Sequence, residues 1–119
     1  MSTQAPTLSM VAGTTYRFSA TWASDDPSAV PVDLTGCKAT FVVATTQGKA
    51  LLTCETGNGI ELVPSEGDIS VHIRPEQTAG TVSPEWSGAR YELRITFPSG
   101  DVYSLLRGHF QLTPGVIHG

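Results

Sequence analysis

Residues 89–97, Ala-Arg-Tyr-Glu-Leu-Arg-Ile-Thr-Phe, show the cleanest alternation of apolar and polar side chains in this sequence. The apolar positions are Tyr91, Leu93, Ile95 and Phe97, and the polar positions are Arg90, Glu92, Arg94 and Thr96. Successive side chains of a β-strand point to opposite faces, so this stretch predicts a strand with one buried face. The turn Pro98-Ser99-Gly100-Asp101 follows, and residues 102–112 are predicted to return as the second strand of a hairpin.

Shorter alternating or β-branched runs lie upstream of this hairpin, separated by turn residues, and each is typical of a strand in a pair of packed sheets. The predicted strands are residues 15–22, 37–44, 49–56, 60–62 and 69–73, with tight turns at Gln47-Gly48 and Pro64-Ser65-Glu66-Gly67. Residues 75–88 break the alternation and predict a crossover loop with at most one short helix.

Length and composition set the domain organisation. A chain of 119 residues has room for one domain with short ends, and 39% hydrophobic with 15% charged residues is typical of a folded chain. We predict an all-β fold, an antiparallel β-sandwich of about 7–8 strands that is immunoglobulin-like in architecture. Its expected parts are an N-terminal arm at residues 1–12, the sandwich domain at 13–112 and a C-terminal tail at 113–119. The side chains expected inside are Tyr16, Phe18, Trp22, Phe41, Leu93 and Ile95.

The charge pattern argues against nucleic acid and membrane partners. The formal net charge is −4, and the Lys and Arg residues are scattered singly along the sequence rather than in blocks. The longest uninterrupted aliphatic or aromatic run, residues 41–44, is far shorter than the roughly 18 residues of a membrane span. Residues 1–12 have no secretory pattern, so we expect synthesis in the cytoplasm.

Cys37 and Cys54 are expected to be free, buried thiols. In the predicted hairpin, Cys37 lies three or four positions along the ladder from the partner of Cys54, which is roughly 10 Å or more. A disulfide needs Cα atoms closer than about 7 Å.

The sequence predicts no catalytic residue, no metal site and no cofactor. His72, His109 and His118 lack the spacing of metal ligands, and no nucleophile motif is present. Asp25, Asp26 and Asp33 cluster in one loop, but without the spacing of a calcium site, and Asp33 is better explained as a turn residue in Asp33-Leu34-Thr35-Gly36. Paired carboxylates for glycoside chemistry stay open, since strands bring distant residues together.

Trp86 is the strongest candidate for a ligand-binding residue. It lies in the irregular loop Ser83-Pro84-Glu85-Trp86-Ser87-Gly88. Trp22, Trp86 or Tyr103 could be the stacking platform of a carbohydrate-binding module, and Trp86 is the best candidate of the three. The alternative, which we favour, is that Trp86 covers one end of the core.

Several pieces of the sequence together suggest a family. They are Tyr16-Arg17-Phe18-Ser19-Ala20-Thr21-Trp22, Val30-Pro31-Val32-Asp33-Leu34-Thr35-Gly36, Gly57-Asn58-Gly59-Ile60, Gly67-Asp68-Ile69-Ser70-Val71, Tyr91-Glu92-Leu93-Arg94-Ile95, Pro98-Ser99-Gly100-Asp101 and Leu105-Leu106-Arg107-Gly108. In this order they resemble small bacteriophage tail and baseplate-associated β-sandwich proteins, including the amino-terminal domains of baseplate upper proteins. The likeness runs from about Gly13 to Leu112.

The resemblance implies a non-enzymatic structural protein of the virion, present in multiple copies in the tail or baseplate and assembled in the host cytoplasm. Its partners would be other virion proteins or further copies of itself, and capsid decoration or a head–tail connector role is the alternative. Open strand edges suit such a part because they accept added strands. The expected arms carry apolar residues as assembly anchors on a neighbour, namely Leu8, Met10, Val11, Val116 and Ile117.

Overall fold

The computed structural model describes residues 7–23, 30, 32–79 and 83–116. It contains eight strands, which are β1 (Leu8–Val11), β2 (Tyr16–Thr21), β3 (Lys38–Ala44), β4 (Ala50–Thr56), β5 (Gly59–Val63), β6 (Asp68–Ile73), β7 (Arg90–Thr96) and β8 (Val102–Thr113). Single 3₁₀ turns lie at Pro64–Glu66, within a predicted turn, and at Pro75–Gln77 and Pro84–Trp86, within the residues 75–88 where at most one short helix was expected. Each begins with a proline, whose fixed φ suits the first position of a helical turn.

Hydrogen bonds link the strands in the order β1-β8-β7-β3-β4-β5-β6-β2. Only a two-residue parallel bridge joins β4 to β5, and there the chain passes from one layer to the other. The Phe18 ring of β2 lies 5.2 Å from the Phe41 ring of β3, a contact that strands so far apart in the order make only if the two halves face each other. We call β1-β8-β7-β3-β4 the front sheet and β5-β6-β2 the back sheet. The predicted all-β, immunoglobulin-like sandwich is confirmed.

The core lies between the two sheets, where the predicted parity holds. Phe41, Leu93 and Ile95 are fully buried. The back sheet contributes Ile60, Ile69, Val71 and Ile73 to the same cluster. Tyr16, Phe18 and Trp22 are half-buried and pack against it, because β2 lies at the end of the strand order and has a neighbour on one side in the described chain.

The three predicted hairpins are confirmed. Strand β3 pairs antiparallel with β4, β5 with β6, and β7 with β8. Strand β8 has one extra residue opposite β7. Leu93 pairs with Leu106 and the next residue, Arg94, pairs with Ser104, so Leu105 has no partner residue on β7. This β-bulge keeps Tyr103 and Leu106 on the core side of β8.

The N-terminal arm expected at residues 1–12 is wrong over Leu8–Ala12. Strand β1 pairs in parallel with β8, with Leu8 opposite Phe110 and Val11 opposite Thr113, and the Ala12 amide donates to the Thr113 carbonyl at 2.8 Å. Four residues are too few to show a period, and their partner lies about a hundred residues downstream, so no local pattern predicts this strand. The remaining arm, residues 1–6, lies outside the described residues. The expected tail also loses Thr113, which ends β8.

Gly67 ends the 3₁₀ turn between β5 and β6 and brings its backbone against the neighbouring loop. Its φ is +66°, in the left-handed region. A side chain there would collide with the Trp22 carbonyl and approach the Val32 backbone. The Trp22 amide donates to the Gly67 carbonyl at 2.9 Å, so this contact holds the loop after β2 against the β5–β6 turn.

Candidate assembly surfaces

One edge of the front sheet is partly free. Strand β1 covers β8 from Phe110 to Thr113, whereas residues 102–109 of β8 have a strand partner on one side only, β7, in the chain that the structure describes. The backbone groups on the other side of residues 102–109 can accept an added strand. We call this stretch the β8 edge.

An aromatic cluster lies at the start of the β8 edge. Trp22 and Phe97 have ring centroids 5.8 Å apart, Trp22 and Tyr103 5.7 Å, and Phe97 and Tyr103 5.6 Å, all edge to face. We call these three residues the aromatic trio. Tyr103 is 47% exposed and its neighbour Val102 52%. The fold therefore places an apolar surface beside unpaired backbone.

The trio was not found from the sequence as a unit, although Trp22 and Tyr103 were named singly. Its members come from the end of β2, the loop after β7 and the start of β8. The alternation of each strand shows which side chains face inward, but not which strand ends meet.

Trp86 lies in the 3₁₀ turn Pro84–Trp86 and covers the core from one side. It is half-buried and its ring centroid is 6.0 Å from that of Phe110, which is buried. This is the placement that the favoured interpretation predicts. Glu85 beside it forms an exposed ion pair with Lys49 at 2.6 Å.

The expected anchors separate into three groups. Met10 is 5% exposed and belongs to the chain's own core, and Leu8 is half-buried against that core, so neither is available to a neighbour as expected. Their burial follows from the pairing of β1 with β8. Val11 and Val116 are 43% and 96% exposed. Ile117 lies outside the described residues.

Cys37 and Cys54 are free and buried, as predicted. Cys54 pairs with Phe41 of β3, which lies four residues along the chain from Cys37. Burial raises the pKa of both thiols; at Cys37 the Asp33 carboxylate raises it further, and at Cys54 Gln77 and Arg74 oppose the effect of burial. Both side chains are therefore poor nucleophiles at neutral pH.

The polar residues considered for metal chemistry lie apart in the structure. His72 is on the back sheet and His109 on the front sheet, and Asp33 accepts hydrogen bonds from the amide and hydroxyl of Thr35, as a turn residue does. These bonds lower the pKa of Asp33. Among the described residues, no group of three or more His, Cys, Asp or Glu side chains could hold a metal ion. Asp25, Asp26 and His118 fall outside the part that is described.

The helices give no membrane span either: within the described ranges, none is both long enough and apolar enough to cross a bilayer.

The outer face of the front sheet holds a group of cations that was not predicted from the sequence. Ladder pairs across β3, β7 and β8 form the rows Lys38–Thr96–Val102, Thr40–Arg94–Ser104, Val42–Glu92–Arg107 and Ala44–Arg90–His109. Lys and Arg residues that are scattered along the chain thus share one face. The signal was present in Arg90, Glu92 and Arg94, which share a parity, but the pairing of β8 was needed to add Arg107.

Glu92 lies among these arginines, 3.1 Å from Nε of Arg94. Burial would raise its pKa, but hydrogen bonding from Ser104 and Arg94 and the charges of Arg94 and Arg107 outweigh burial, so the pKa is lowered. The Ser104 hydroxyl is buried and makes no hydrogen bond of ideal geometry. It lies near the Glu92 carboxylate and lowers the pKa of that group as a donor.

Comparison with known proteins identifies the class of fold. No family model matches the chain, and no curated protein matches it. A crystal structure of a chicken TCR matches with a TM-score of 0.56 and 10% identity, over 96% of this chain and 56% of that one. The chain thus spans little more than half the length of the chicken protein. At this identity the likeness shows the fold alone, an immunoglobulin-like β-sandwich.

The strand arrangement agrees with that class. In immunoglobulin sandwiches one sheet contains strands C, F and G and the other contains B, E and D, which correspond here to β3, β7 and β8 and to β2, β6 and β5. Antibody domains join their sheets with a disulfide packed on a tryptophan. Here Phe41 takes the central place on β3, with the rings of Phe18 and Tyr91 at 5.2 and 5.8 Å.

Proposed function

We propose that this chain is a non-enzymatic structural component of a bacteriophage particle, present in multiple copies in the tail or baseplate. The sequence resemblance over about Gly13 to Leu112 supports the phage role. The structural observation that carries an assembly role is the β8 edge beside the aromatic trio. A strand of a neighbouring virion protein that pairs with this edge satisfies its free backbone groups and covers Val102 and Tyr103.

Both kinds of contact are needed for such docking. Ordering an added strand costs about 1–2 kcal/mol per residue, whereas a fully buried apolar side chain contributes roughly 1.5–3 kcal/mol. Backbone hydrogen bonds alone add only about 0.5–1.5 kcal/mol each. The apolar surface of the trio therefore decides whether pairing at this edge is stable, and Val11 and Val116 offer further exposed apolar contacts.

The proposal is tested on particles. Mass spectrometry of gradient-purified phage should find the chain at a constant copy number relative to the major virion proteins. A chain that is abundant in the lysate and missing from the particles would contradict the proposal. Neighbouring genes separate the two placements, because a tape-measure or fibre gene favours the tail and a major capsid gene favours decoration.

The β8 edge is tested by Val102→Lys, which places a charge where an added strand would pack. The variant should fold but enter particles poorly. Thr46→Lys adds the same charge in the exposed β3–β4 turn and should be incorporated normally. Equal incorporation of the two variants would remove the β8 edge from the proposal.

Carbohydrate binding is the second candidate, and one observation favours it. Tyr103 is 47% exposed and stands against Trp22, so an aromatic surface faces outward at one end of the sandwich. Sugars stack on such surfaces. A sugar titration followed by tryptophan fluorescence tests this candidate, which requires saturable binding that Tyr103→Ala abolishes.

A further inference from the structure

The outer face of the front sheet carries more positive than negative charge, in a chain whose net charge is −4. The charged residues on the facing rows are the cations Lys38, Arg90, Arg94 and Arg107 and the carboxylates Glu55 and Glu92. Glu92 is already paired with Arg94. Among the described residues, Lys38, Arg90 and Arg107 form no ion pair. We call this surface the basic face.

The basic face is also concave. A depression of about 440 Å³ lies at one end of it, lined by Val42, Ala44, Tyr91 and Gly108 together with the charged or polar residues Arg90, Glu92, Arg107 and His109. Neighbouring strands are about 5 Å apart, so the arginine side chains stand within reach of one inserted group. The lining holds two arginines against one carboxylate, Glu92, which is already paired with Arg94, so it fits a partner surface that supplies carboxylates.

Four carboxylates lie on the other side of the molecule. Glu61 and Asp68 lie on the outer face of the back sheet, and Glu66 lies in the turn that joins β5 to β6. Asp33 belongs to the same end, because the Leu34 amide donates to the Pro64 carbonyl at 3.2 Å. We call these four residues the acidic end. Arg17 is a cation on the same outer face. It lies opposite His72 in the β2–β6 ladder, two positions from the Ser19–Ser70 pair.

Because the sheets pack face to face, their outer surfaces point in opposite directions. We propose that the basic face binds the acidic end of a second copy of this chain, head to tail. The interface is heterologous, so each copy keeps one face open and repeated addition gives a ring or an open stack. This inference rests on the proposed multi-copy assembly role and names the partner as the chain itself.

The size of the molecule is compatible with such an interface. The principal extents are 46 × 26 × 25 Å. A broad face is therefore on the order of 1,000 Å², against about 800 Å² per partner in a standard protein interface. Opposite charge on the two faces sets the order and orientation of the copies.

Sedimentation velocity of the full chain tests the proposal. Self-association should be detectable at low salt and weaken at least about tenfold between about 0.02 M and 0.5 M NaCl, because exposed charges are screened over a Debye length. A chain that is monomeric at low salt and millimolar concentration would overturn the proposal. So would self-association that does not respond to salt.

Charge reversal identifies the faces. Arg90→Glu/Arg107→Glu should abolish self-association, and so should Glu61→Lys/Glu66→Lys, since each variant has like charges on both faces. All four residues are exposed, so the variants are expected to fold. An equimolar mixture should associate again, because the unaltered acidic end of the first variant meets the unaltered basic face of the second. Lys49→Glu reverses a charge in a turn outside both faces and should leave association unchanged.

Two further results would contradict the head-to-tail contact. If the mixture stays monomeric, the basic face and the acidic end do not contact each other. If the wild-type chain binds double-stranded DNA and Arg90→Glu/Arg107→Glu does not, while no self-association occurs, the face is a nucleic acid site. Normal incorporation of both variants into particles, with self-association unaffected by charge, would overturn the head-to-tail contact but leave the proposed virion role standing.

Discussion

The rings of Phe18 and Phe41 pack edge to face with centroids 5.2 Å apart, and each comes from a different sheet. Phe41 also contacts Tyr91 and Phe110 of the front sheet, at 5.8 and 6.5 Å. One fully buried phenylalanine therefore connects strands from both layers. With both cysteines free, the sandwich is held by packing and hydrogen bonds over the described residues.

Truncation of Leu93 tests the alternation of β7. Leu93 is fully buried, so Leu93→Ala should lower the free energy of unfolding by about 2–5 kcal/mol through lost burial and the cavity left behind. Arg90→Ala on the exposed parity of the same strand should change it by less than about 0.5 kcal/mol. Urea denaturation followed by circular dichroism measures both. Similar losses for the two variants would contradict the assigned faces.

Gly67→Ala should destabilise the protein by more than about 2 kcal/mol, because it combines a left-handed φ with a collision against the Trp22 carbonyl. Gly48→Ala is the matched control. Its φ is +91° but nothing lies within 4 Å of the added carbon, so the expected loss is only about 1–2 kcal/mol. Thermal unfolding of both variants compares them, and a Gly67→Ala protein as stable as Gly48→Ala would show that the loop contact is dispensable.

Because the two cysteines are buried, we expect the free energy of unfolding to fall at alkaline pH. Burial raises the pKa of Cys37 and Cys54, so the folded state keeps protons that the unfolded state releases. Their contribution is present below the ordinary thiol pKa of about 8.5 and is lost as pH rises through the folded-state values. Unfolding free energies between about pH 8 and 10 should fall less steeply for Cys37→Ala/Cys54→Ala than for the wild type.

Thiol titration gives an independent check of the same cysteines. Two free thiols per chain should react with a chromogenic disulfide reagent after denaturation without reductant. In the native protein both should react much more slowly. Recovery of no thiol would mean that the cysteines are bridged and that the β3–β4 register is incorrect.

Trp86→Ala should lower stability by about 1–3 kcal/mol, because the indole covers Phe110. The tryptophan fluorescence of the native wild type should be blue-shifted relative to the unfolded chain, and part of that shift should be absent in the variant. Saturable sugar binding that depends on Trp86 would instead assign it the ligand role that we disfavour.

Local alternation predicted most of the fold. In each of the pairs β3–β4, β5–β6 and β7–β8 the two strands are consecutive in sequence and are joined by a turn with typical turn residues. Both the strands and their partners could therefore be predicted. Strand β1 could not, since Leu8–Val11 is short and pairs with a distant strand in parallel. Neither the fold-over at the β4–β5 bridge nor the extra residue Leu105 has a local pattern.

The candidate surfaces were harder to predict than the core. Burial depends on side-chain parity within one strand, whereas a surface depends on which strands are neighbours. Arg107 joins Arg90 and Arg94 only through the register of β8 against β7. Trp22 and Tyr103 meet because the two sheets pack face to face, since β2 and β8 are not neighbours in the strand order.

The parallel pairing of β1 with β8 has a consequence for synthesis on the ribosome. Strand β1 emerges before the other seven described strands and its partner β8 after them, so the nascent β1 stays unpaired by β8 while the three hairpins form. Closing so long a loop is slow compared with forming a hairpin. During that interval Met10 is uncovered and the whole length of β8 is briefly an open edge once it has been made. The nascent chain is therefore most prone to wrong pairing with other chains just before β1 docks.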